Sequence, residues 1–360
     1  MNYRLSTLFA RKSYSADSTE VIDINVSDPI SQLIIELSTL NVGDIATAHA
    51  IACLKKVELV DGSDVLFSLS GYEAEAVDIY HNKKMRSNWN PYIGTMGVQR
   101  FVGINFGRKL WDPLLAFDPK KFNNPQLKIT LDIDAGGNAP SANYLQVWAA
   151  LFDEKMINPV GFLMHKEVKD YPMGVSTHEY TDLPVDHPYR KLFVRQQTAG
   201  TEPDQHVENI KLSEDQDKRI IFDHGPADLF RTIAADNPML TELILFVIAA
   251  ASRHGYCTMT SRVNGVITPW ALANAPGDCS FYDGDGGEFH HIAAAGGNAQ
   301  AIVGGWYPHA TFEIPFGDQD DPEDWFDASA LRALKLDVKA TAGALSTDSV
   351  QVFLQQMRKY

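Results

Sequence analysis

The tightest cluster of metal-type ligands in the chain is Glu288-Phe289-His290-His291. A β-barrel metal site needs imidazoles that point into one cavity. Neighbouring residues of a strand point to opposite faces, so His290 and His291 would not share an ion if this stretch is extended. Just ahead, Asp283-Gly284-Asp285-Gly286-Gly287-Glu288 sets oxygens at alternating positions, like half of a calcium loop. It lacks the length and the distal bidentate Glu of a complete one. Asp283, Asp285 and Glu288 are therefore a weak calcium candidate, against the plain reading of a solvated acidic turn. Asp318-Gln319-Asp320-Asp321-Pro322-Glu323-Asp324 reads the same way, as a hydrated acidic loop. No phosphate-cradling glycine loop, dinucleotide fingerprint, Gly-x-Ser-x-Gly elbow or Cys-x-x-Cys pair occurs. The expectation is a chain with no catalytic residues, no cofactor and no metal beyond that calcium candidate.

The elements that carry these residues are written twice. Asp23-Ile24-Asn25-Val26-Ser27-Asp28-Pro29-Ile30-Ser31-Gln32-Leu33-Ile34-Ile35 and Asp182-Leu183-Pro184-Val185-Asp186-His187-Pro188-Tyr189-Arg190-Lys191-Leu192-Phe193-Val194 share one ungapped pattern at one offset (182 − 23 = 159, 194 − 35 = 159). A self-match at so long a period means a duplicated domain. Val57, Leu59 and Phe67 flank one polar turn, and Ile210, Leu212 and Phe222 flank another; apolar alternation around such a turn predicts a β-hairpin in each copy. Further on, Ile104-Asn105-Phe106-Gly107 answers Ile314-Pro315-Phe316-Gly317 (314 − 104 = 210) and Phe117-Asp118 answers Phe326-Asp327. Leu127-Lys128-Ile129 is matched to Leu334-Lys335-Leu336, and Leu145-Gln146-Val147 to Val350-Gln351-Val352. The offset rises from 155 (222 − 67) to 210, so the second copy carries an insertion of about 55 residues. Gly284, Gly286, Gly287, Ala293 to Gly297, Gly304 and Gly305 make it rich in small residues, which suits loops.

Every shared block is strand-like or a turn. The expected fold is all-β: two tandem eight-stranded antiparallel jelly rolls with short helices and a loop insertion in the second. The expected division is an N-terminal arm at 1–18, a first jelly roll at 19–172 and a second at 173–360, with a tower-like insertion at about 237–308. Leu5, Leu8 and Phe9 have the spacing of a short amphipathic helix within the arm, docked on its own domain or reaching a neighbour or a membrane surface. No linker rich in Pro, Gly and Ser separates the copies, so they should pack rigidly side by side.

The chain of 360 residues is long enough for two cores. Its net charge of −15 argues against a general nucleic-acid grip, which needs a basic face. Three cysteines, Cys53, Cys257 and Cys279, are too few for a disulfide framework and suggest folding in a reducing cytosol. Cys257 and Cys279 are expected as thiols, with a bridge between them as the alternative. No signal peptide is visible, and Leu243 to Ala251, the most apolar run, is too short to span a bilayer. Both ends are basic, through Arg4, Arg11 and Lys12 and through Arg358 and Lys359.

These residues resemble the double jelly-roll major capsid proteins of tailless icosahedral viruses, the lineage of internal-membrane phages and the adenovirus hexon. The resemblance lies in Leu59 to Gly71, in Ile104 to Arg108 and in Leu115 to Leu127, which look like the first-domain hairpin and later strand-loop-strand of small bacteriophage members. It covers about Val21 to Phe353 except the insertion. It implies a non-enzymatic capsid subunit in the virion, made and assembled in the host cytoplasm. It also implies a homotrimer with a pseudo-hexagonal outline that packs against neighbouring capsomers, with penton or other minor capsid proteins and an internal viral membrane as further partners, and no sequence-specific nucleic acid. Three-fold closure would place first domain against second domain of the next chain. The loops after the shared Ile-x-Phe-Gly carry opposite charge, Arg108 and Lys109 against Asp320, Asp321 and Asp324, and are the candidate trimer interface. Arg4, Arg11, Lys12, Arg358 and Lys359 are the candidate interior or membrane-facing residues. The rival reading is a carbohydrate-binding or carbohydrate-cleaving double jelly roll; a two-domain cupin enzyme is disfavoured by the missing ligand set.

Overall fold

Strict alternation of apolar residues builds most strands of this chain. In β8 (Pro125–Leu131) Leu127, Ile129 and Leu131 are buried, and between them Lys128 and Thr130 are half-buried. One face of each sheet is thereby committed to a core and the other to whatever lies outside. The structure, a computed structural model, describes residues 3–40, 48–93, 96–135, 142–153, 157–198, 200–248, 253–269, 280–282, 286–292, 297–344 and 349–360.

The first unit contains β1 (Arg4–Tyr14), β2 (Ser18–Asp23), β3 (Ile30–Leu40), β4 (Leu54–Asp61), β5 (Asp64–Leu69), helix α1 (Gly71–Asn82), the short β6 (Asn90–Tyr92), β7 (Gly97–Asn105), β8 and β9 (Ala142–Leu151). Two four-strand layers, β1-β9-β3-β7 and β2-β8-β4-β5, face each other. The second unit begins with β10 (Gly161–Pro172), β11 (His178–Leu183), β12 (Tyr189–Gln197), β13 (Val207–Glu214), β14 (Arg219–His224) and helix α2 (Pro226–Asp236). The insertion follows as β15 (Leu240–Ile248), β16 (Arg253–Tyr256), β17 (Met259–Pro269), β18 (Ser280–Tyr282), β19 (Glu288–Ile292) and β20 (Gly297–Pro308). Then β21 (Thr311–Pro315), β22 (Leu334–Ala340) and β23 (Ser349–Lys359) complete the unit, with layers β10-β23-β12-β21 and β11-β22-β13-β14. The strand order is the same in both units, so each is an eight-stranded jelly roll.

Register confirms the duplication residue by residue. Leu33 pairs with Ile104 as Leu192 pairs with Ile314, and Ile35 pairs with Val147 as Val194 pairs with Val352. Leu59 faces Phe67 as Leu212 faces Phe222. Ile30 bridges Phe117 as Tyr189 bridges Phe326. One match is corrected by two residues: Leu59 pairs with Leu127 and Leu212 with Leu336, so Leu127 answers Leu336 and not Leu334. A shift of two keeps every side chain on its face, which is why the apolar pattern alone did not detect it. The first hairpin turns on Gly62 at φ 62°; the second needs Asp215, Gln216 and Asp217 at φ 45°, 64° and 64°.

Three expectations change. Residues 4–14 are not a helical arm: they form β1, paired along β9, and the 3.6-residue coincidence of Leu5, Leu8 and Phe9 is overridden by ladder hydrogen bonds. β10 pairs with β23 and is the counterpart of β1, so the second unit starts ahead of residue 173. The insertion is not a set of loops. Its strands make a sheet in the order β17-β20-β15-β6 and a smaller one, β16-β19-β18, and Ile244, Phe246, Met259, Ala299, Ala301 and Val303 pack with Ile79 and Tyr92 as a core of their own. Gly304 and Gly305 lie in its central strand, where a Cβ on Gly305 would sit 2.9 Å from the Ser261 carbonyl. The run from Leu243 is strand β15, and among the described residues no helix is long and apolar enough to cross a membrane.

The two units are fused edge to edge. His165 and Lys166 of β10 pair in parallel with Phe67 and Ser68 of β5, which joins the layers into one eight-stranded sheet. One buried apolar cluster runs through both units.

Candidate functional site at the junction of the two units

α1 sets the junction. Ser70 caps it: Glu73 Oε2 accepts from the Ser70 amide at 2.7 Å while Ser70 Oγ accepts from the Glu73 amide at 3.4 Å. From Glu73 to Tyr80 every residue of the helix is buried, because it packs on β7 and β4 of its own unit and, across the junction, on β21 and on β20 of the insertion. Tyr80 packs on Phe193 with ring centroids 6.1 Å apart and donates to the Thr311 carbonyl at 2.5 Å; Phe193 stacks on Phe353 at 5.0 Å. Phe193 and Phe353 are fully buried.

The equivalent face of the first unit is open. Register places Ile34 where Phe193 stands, Trp148 where Phe353 stands and Phe101 where Thr311 stands. These three, with Leu5, Met85 and Leu110, line a groove of ≈ 580 Å³. Leu5 is 63% exposed and Leu110 50%. The helix that answers α1 is open as well: Asp228, Arg231 and Thr232 of α2 are exposed, as are Ile220, Asp223 and His224 of β14. Among the described residues, the α1 side of the first unit is thus buried against the second, while the α2 side and the first unit's outward face are exposed.

Polar side chains lock the junction from inside. Arg100 of β7 is fully buried. Its Nη2 donates to Glu75 Oε1 at 2.5 Å and Thr258 Oγ1 at 2.8 Å, and its Nη1 to Asn90 Oδ1 at 2.9 Å and Glu242 Oε1 at 2.5 Å. The Thr258 amide donates to Glu242 Oε2 at 2.9 Å. Burial opposes the guanidinium charge, and Glu75 and Glu242 outweigh it, so Arg100 stays charged with its pKa raised. Burial likewise pushes Glu75 up, while Arg100 and His309 prevail and hold it below its usual value. Removing one partner of such a network leaves an uncompensated buried charge. The network joins β7 and α1 of the first unit to the insertion, so it orients the insertion on the junction.

The residues singled out from sequence fall differently. Asp283 and Asp285 lie outside the described residues; Glu288 is on β19, half-buried and hydrogen-bonded to Tyr256. The oppositely charged loops meet inside one chain. Arg108 is held by Asp112, with Nε to Oδ2 at 2.7 Å, and its Nη1 donates to the Asp320 carbonyl. Asp324 Oδ2 accepts from the Asp318 amide at 2.6 Å. Lys109, Asp320 and Asp321 are exposed. The terminal cations are not one cluster. Arg4 opens β1 opposite Leu151, paired to Asp28 at 2.9 Å and Asp153 at 3.0 Å, and Arg358 near the end of β23 pairs with Asp64 at 2.9 Å. Arg11 lies over the Tyr144 ring and Lys12 pairs with Glu20 at 2.7 Å, roughly 25 Å along β1 from Arg4 at the rise of a strand. Lys359 is exposed beside Gly161. Cys53 and Cys257 are buried; Cys279, and so its pairing, lies outside the described residues.

No protein-family model and no curated protein matches the sequence. Solved structures do match it over nearly its whole length. The major capsid protein of Sulfolobus turreted icosahedral virus aligns at 12% identity, covering 98% of this chain and 96% of that one, with a TM-score of 0.60. The major capsid protein P2 of bacteriophage PM2 gives 10% identity, 99% and 98% coverage and 0.57; VP54 of PBCV-1 gives 10%, 99%, 94% and 0.59. The fold is that of the double jelly-roll major capsid proteins. On this double jelly-roll frame the insertion occupies the segment between α2 and β21, at the Arg195 end of β12, whereas Lys359 lies towards the Tyr189 end. Sequence reasoning missed the Arg100 network because its members are spread from Glu75 to His309; a charged residue amid an apolar strand, Arg100 between Val98 and Val102, was the one available signal.

Proposed function

We propose that the chain is a viral major capsid subunit that closes into a homotrimer by repeating its own internal contact between chains. The observation that carries this is the burial asymmetry: the first unit's α1 edge covers the second unit's sheet, while the second unit's α2 edge and the first unit's sheet stand open. Two such units per chain and three chains give six nearly equivalent positions, the closed arrangement in which every head meets a tail. Charge agrees: Lys84 is exposed and lines the groove, and Asp223, Asp228 and Asp236 are exposed on the β14 and α2 edge. Trimers of this outline tile a hexagonal lattice. The insertion then stands as a tower at the end of the strands opposite Arg4, Arg358 and Lys359. Those three would face the interior, where an internal membrane or minor capsid proteins are the partners, and the virion is the place of action.

Size-exclusion chromatography with light scattering tests it. A particle near three times 39.9 kDa is expected, and Trp148→Asp should convert it to monomer without loss of β structure. A wild-type monomer at high concentration, or a trimer indifferent to Trp148→Asp, overturns the reading.

A further inference from the structure

Glu75 divides its two oxygens. Oε1 accepts from Arg100 and from Asn88 Nδ2 at 3.0 Å, and Oε2 faces His309 Nε2 at 2.9 Å. Next to them His49, only 3% exposed, presents an Nε2 with no partner among the described residues. The His49 and His309 rings meet edge to face at 4.8 Å. One ligand atom from each of His49, Glu75 and His309 lies within 4.8 Å of the others, and all three residues are buried. We propose that His49, Glu75 and His309 form a binding site for a zinc-class divalent metal that staples the foot of the insertion to the first unit.

The donor chemistry selects the ion. Two imidazoles and one carboxylate suit zinc or cobalt, which take three or four ligands of this kind; calcium and magnesium need more oxygens. The supporting contacts orient each ligand. Arg100 and Asn88 occupy Oε1 of Glu75 and so present Oε2 alone. His309 sits at φ 51° between Tyr307 at 52° and Ala310 at 57°, held by its amide to the Thr258 carbonyl at 2.8 Å and by Arg195 Nε to its own carbonyl at 3.0 Å. Burial, with Arg100 close by, also keeps both imidazoles below their usual pKa, in the neutral form that ligates. His49 Nδ1 accepts from the Ile51 amide at 3.3 Å, which leaves the ring proton on the partnerless Nε2. Metal on Nε2 would move that proton to Nδ1 and exchange one long hydrogen bond for a coordinate bond.

The three ligands come from the turn ahead of residues 50–53, from α1 and from the β20–β21 turn. Bound metal would therefore stabilise the placement of the insertion whatever the oligomeric state, and the test is independent of trimer formation. The full chain, stripped with a chelator, is titrated with Co²⁺ and then Zn²⁺. One equivalent of Co²⁺ per chain with visible ligand-field bands, displaced by Zn²⁺, is expected, together with a Tm that rises with metal concentration. His49→Asn keeps an N-cap acceptor for Ile51, and His309→Asn tolerates the left-handed backbone. Each should fold and weaken Co²⁺ binding by at least the roughly 10–100-fold that loss of an outer-shell partner costs. Absence of stoichiometric uptake by wild type, or uptake unchanged in both variants, overturns the proposal. Should either variant fail to fold, the wild type decides: a Tm indifferent to chelator and to added Zn²⁺ rules the site out.

Discussion

The two jelly rolls share strand order and register yet differ in what covers them. In the second, the outward face of β10-β23-β12-β21 is covered, with Phe193 and Phe353 buried beside Tyr80 of α1. In the first, the same positions hold Ile34 and Trp148 over an open groove. Trp148 and Phe101 stack loosely there, at 6.5 Å between centroids. The helices differ in the same sense, α1 buried and α2 exposed at Asp228, Arg231 and Thr232. Duplication made the two folds equal; burial of α1 at the junction made them unequal, and it leaves the α2 side of the second unit and the outward face of the first exposed.

The comparison breaks most violently at Arg100, whose counterpart by register is Ala310. Arg100→Met should cost about 3–5 kcal/mol in urea unfolding, since Glu75 and Glu242 are left buried without their cation. A loss below 1 kcal/mol would mean that water replaces the guanidinium. Next comes the matched pair of faces. Phe353→Ala should destabilise the subunit by about 3–5 kcal/mol, the usual cost of emptying an aromatic site. Trp148→Ala should cost the isolated subunit about 1 kcal/mol or less, but weaken subunit association by about 2 kcal/mol or more as an interface anchor. Equal effects on the subunit would erase the distinction between the faces.

Smaller effects sharpen it. Arg108→Ala should cost about 1–3 kcal/mol, because Asp112 is fully buried and loses its ionic partner. Lys109→Asp, exposed on the same loop, should stay within about 0.5 kcal/mol and leave the oligomer intact. A trimer lost through Lys109→Asp would restore the loop to the interface between chains. The helix caps differ in their pH dependence. Burial, helped by nearby Glu167, pushes Glu73 up to about 7. A carboxyl raised in the folded state binds its proton preferentially there, so its contribution is fullest below pH 4.5 and is lost as pH rises to about 7. Glu73→Gln should flatten that decline in a pH series of unfolding curves. Asp228 stands at the equivalent helix position, exposed and paired with Arg231.

Sequence alone determined the repeat, the all-β class and the position of the insertion. These rest on periodicity and offset, which are local or pairwise along the chain and need no knowledge of what packs on what. It failed where a different register or partner gives the same pattern. Leu334 and Leu336 point to the same face, so the β8–β22 match slipped by two. Leu5, Leu8 and Phe9 fit a helix until β9 supplied the ladder. The small residues of the insertion looked like loop until the strands of its sheet closed around Gly305. Nothing along the sequence says that Arg108 reaches Asp320 within its own chain. Tertiary structure decided which of two equal faces is covered, and it brought His49, Glu75 and His309 together. Burial and ligand geometry are properties of residues far apart in sequence, and only the folded chain makes them neighbours.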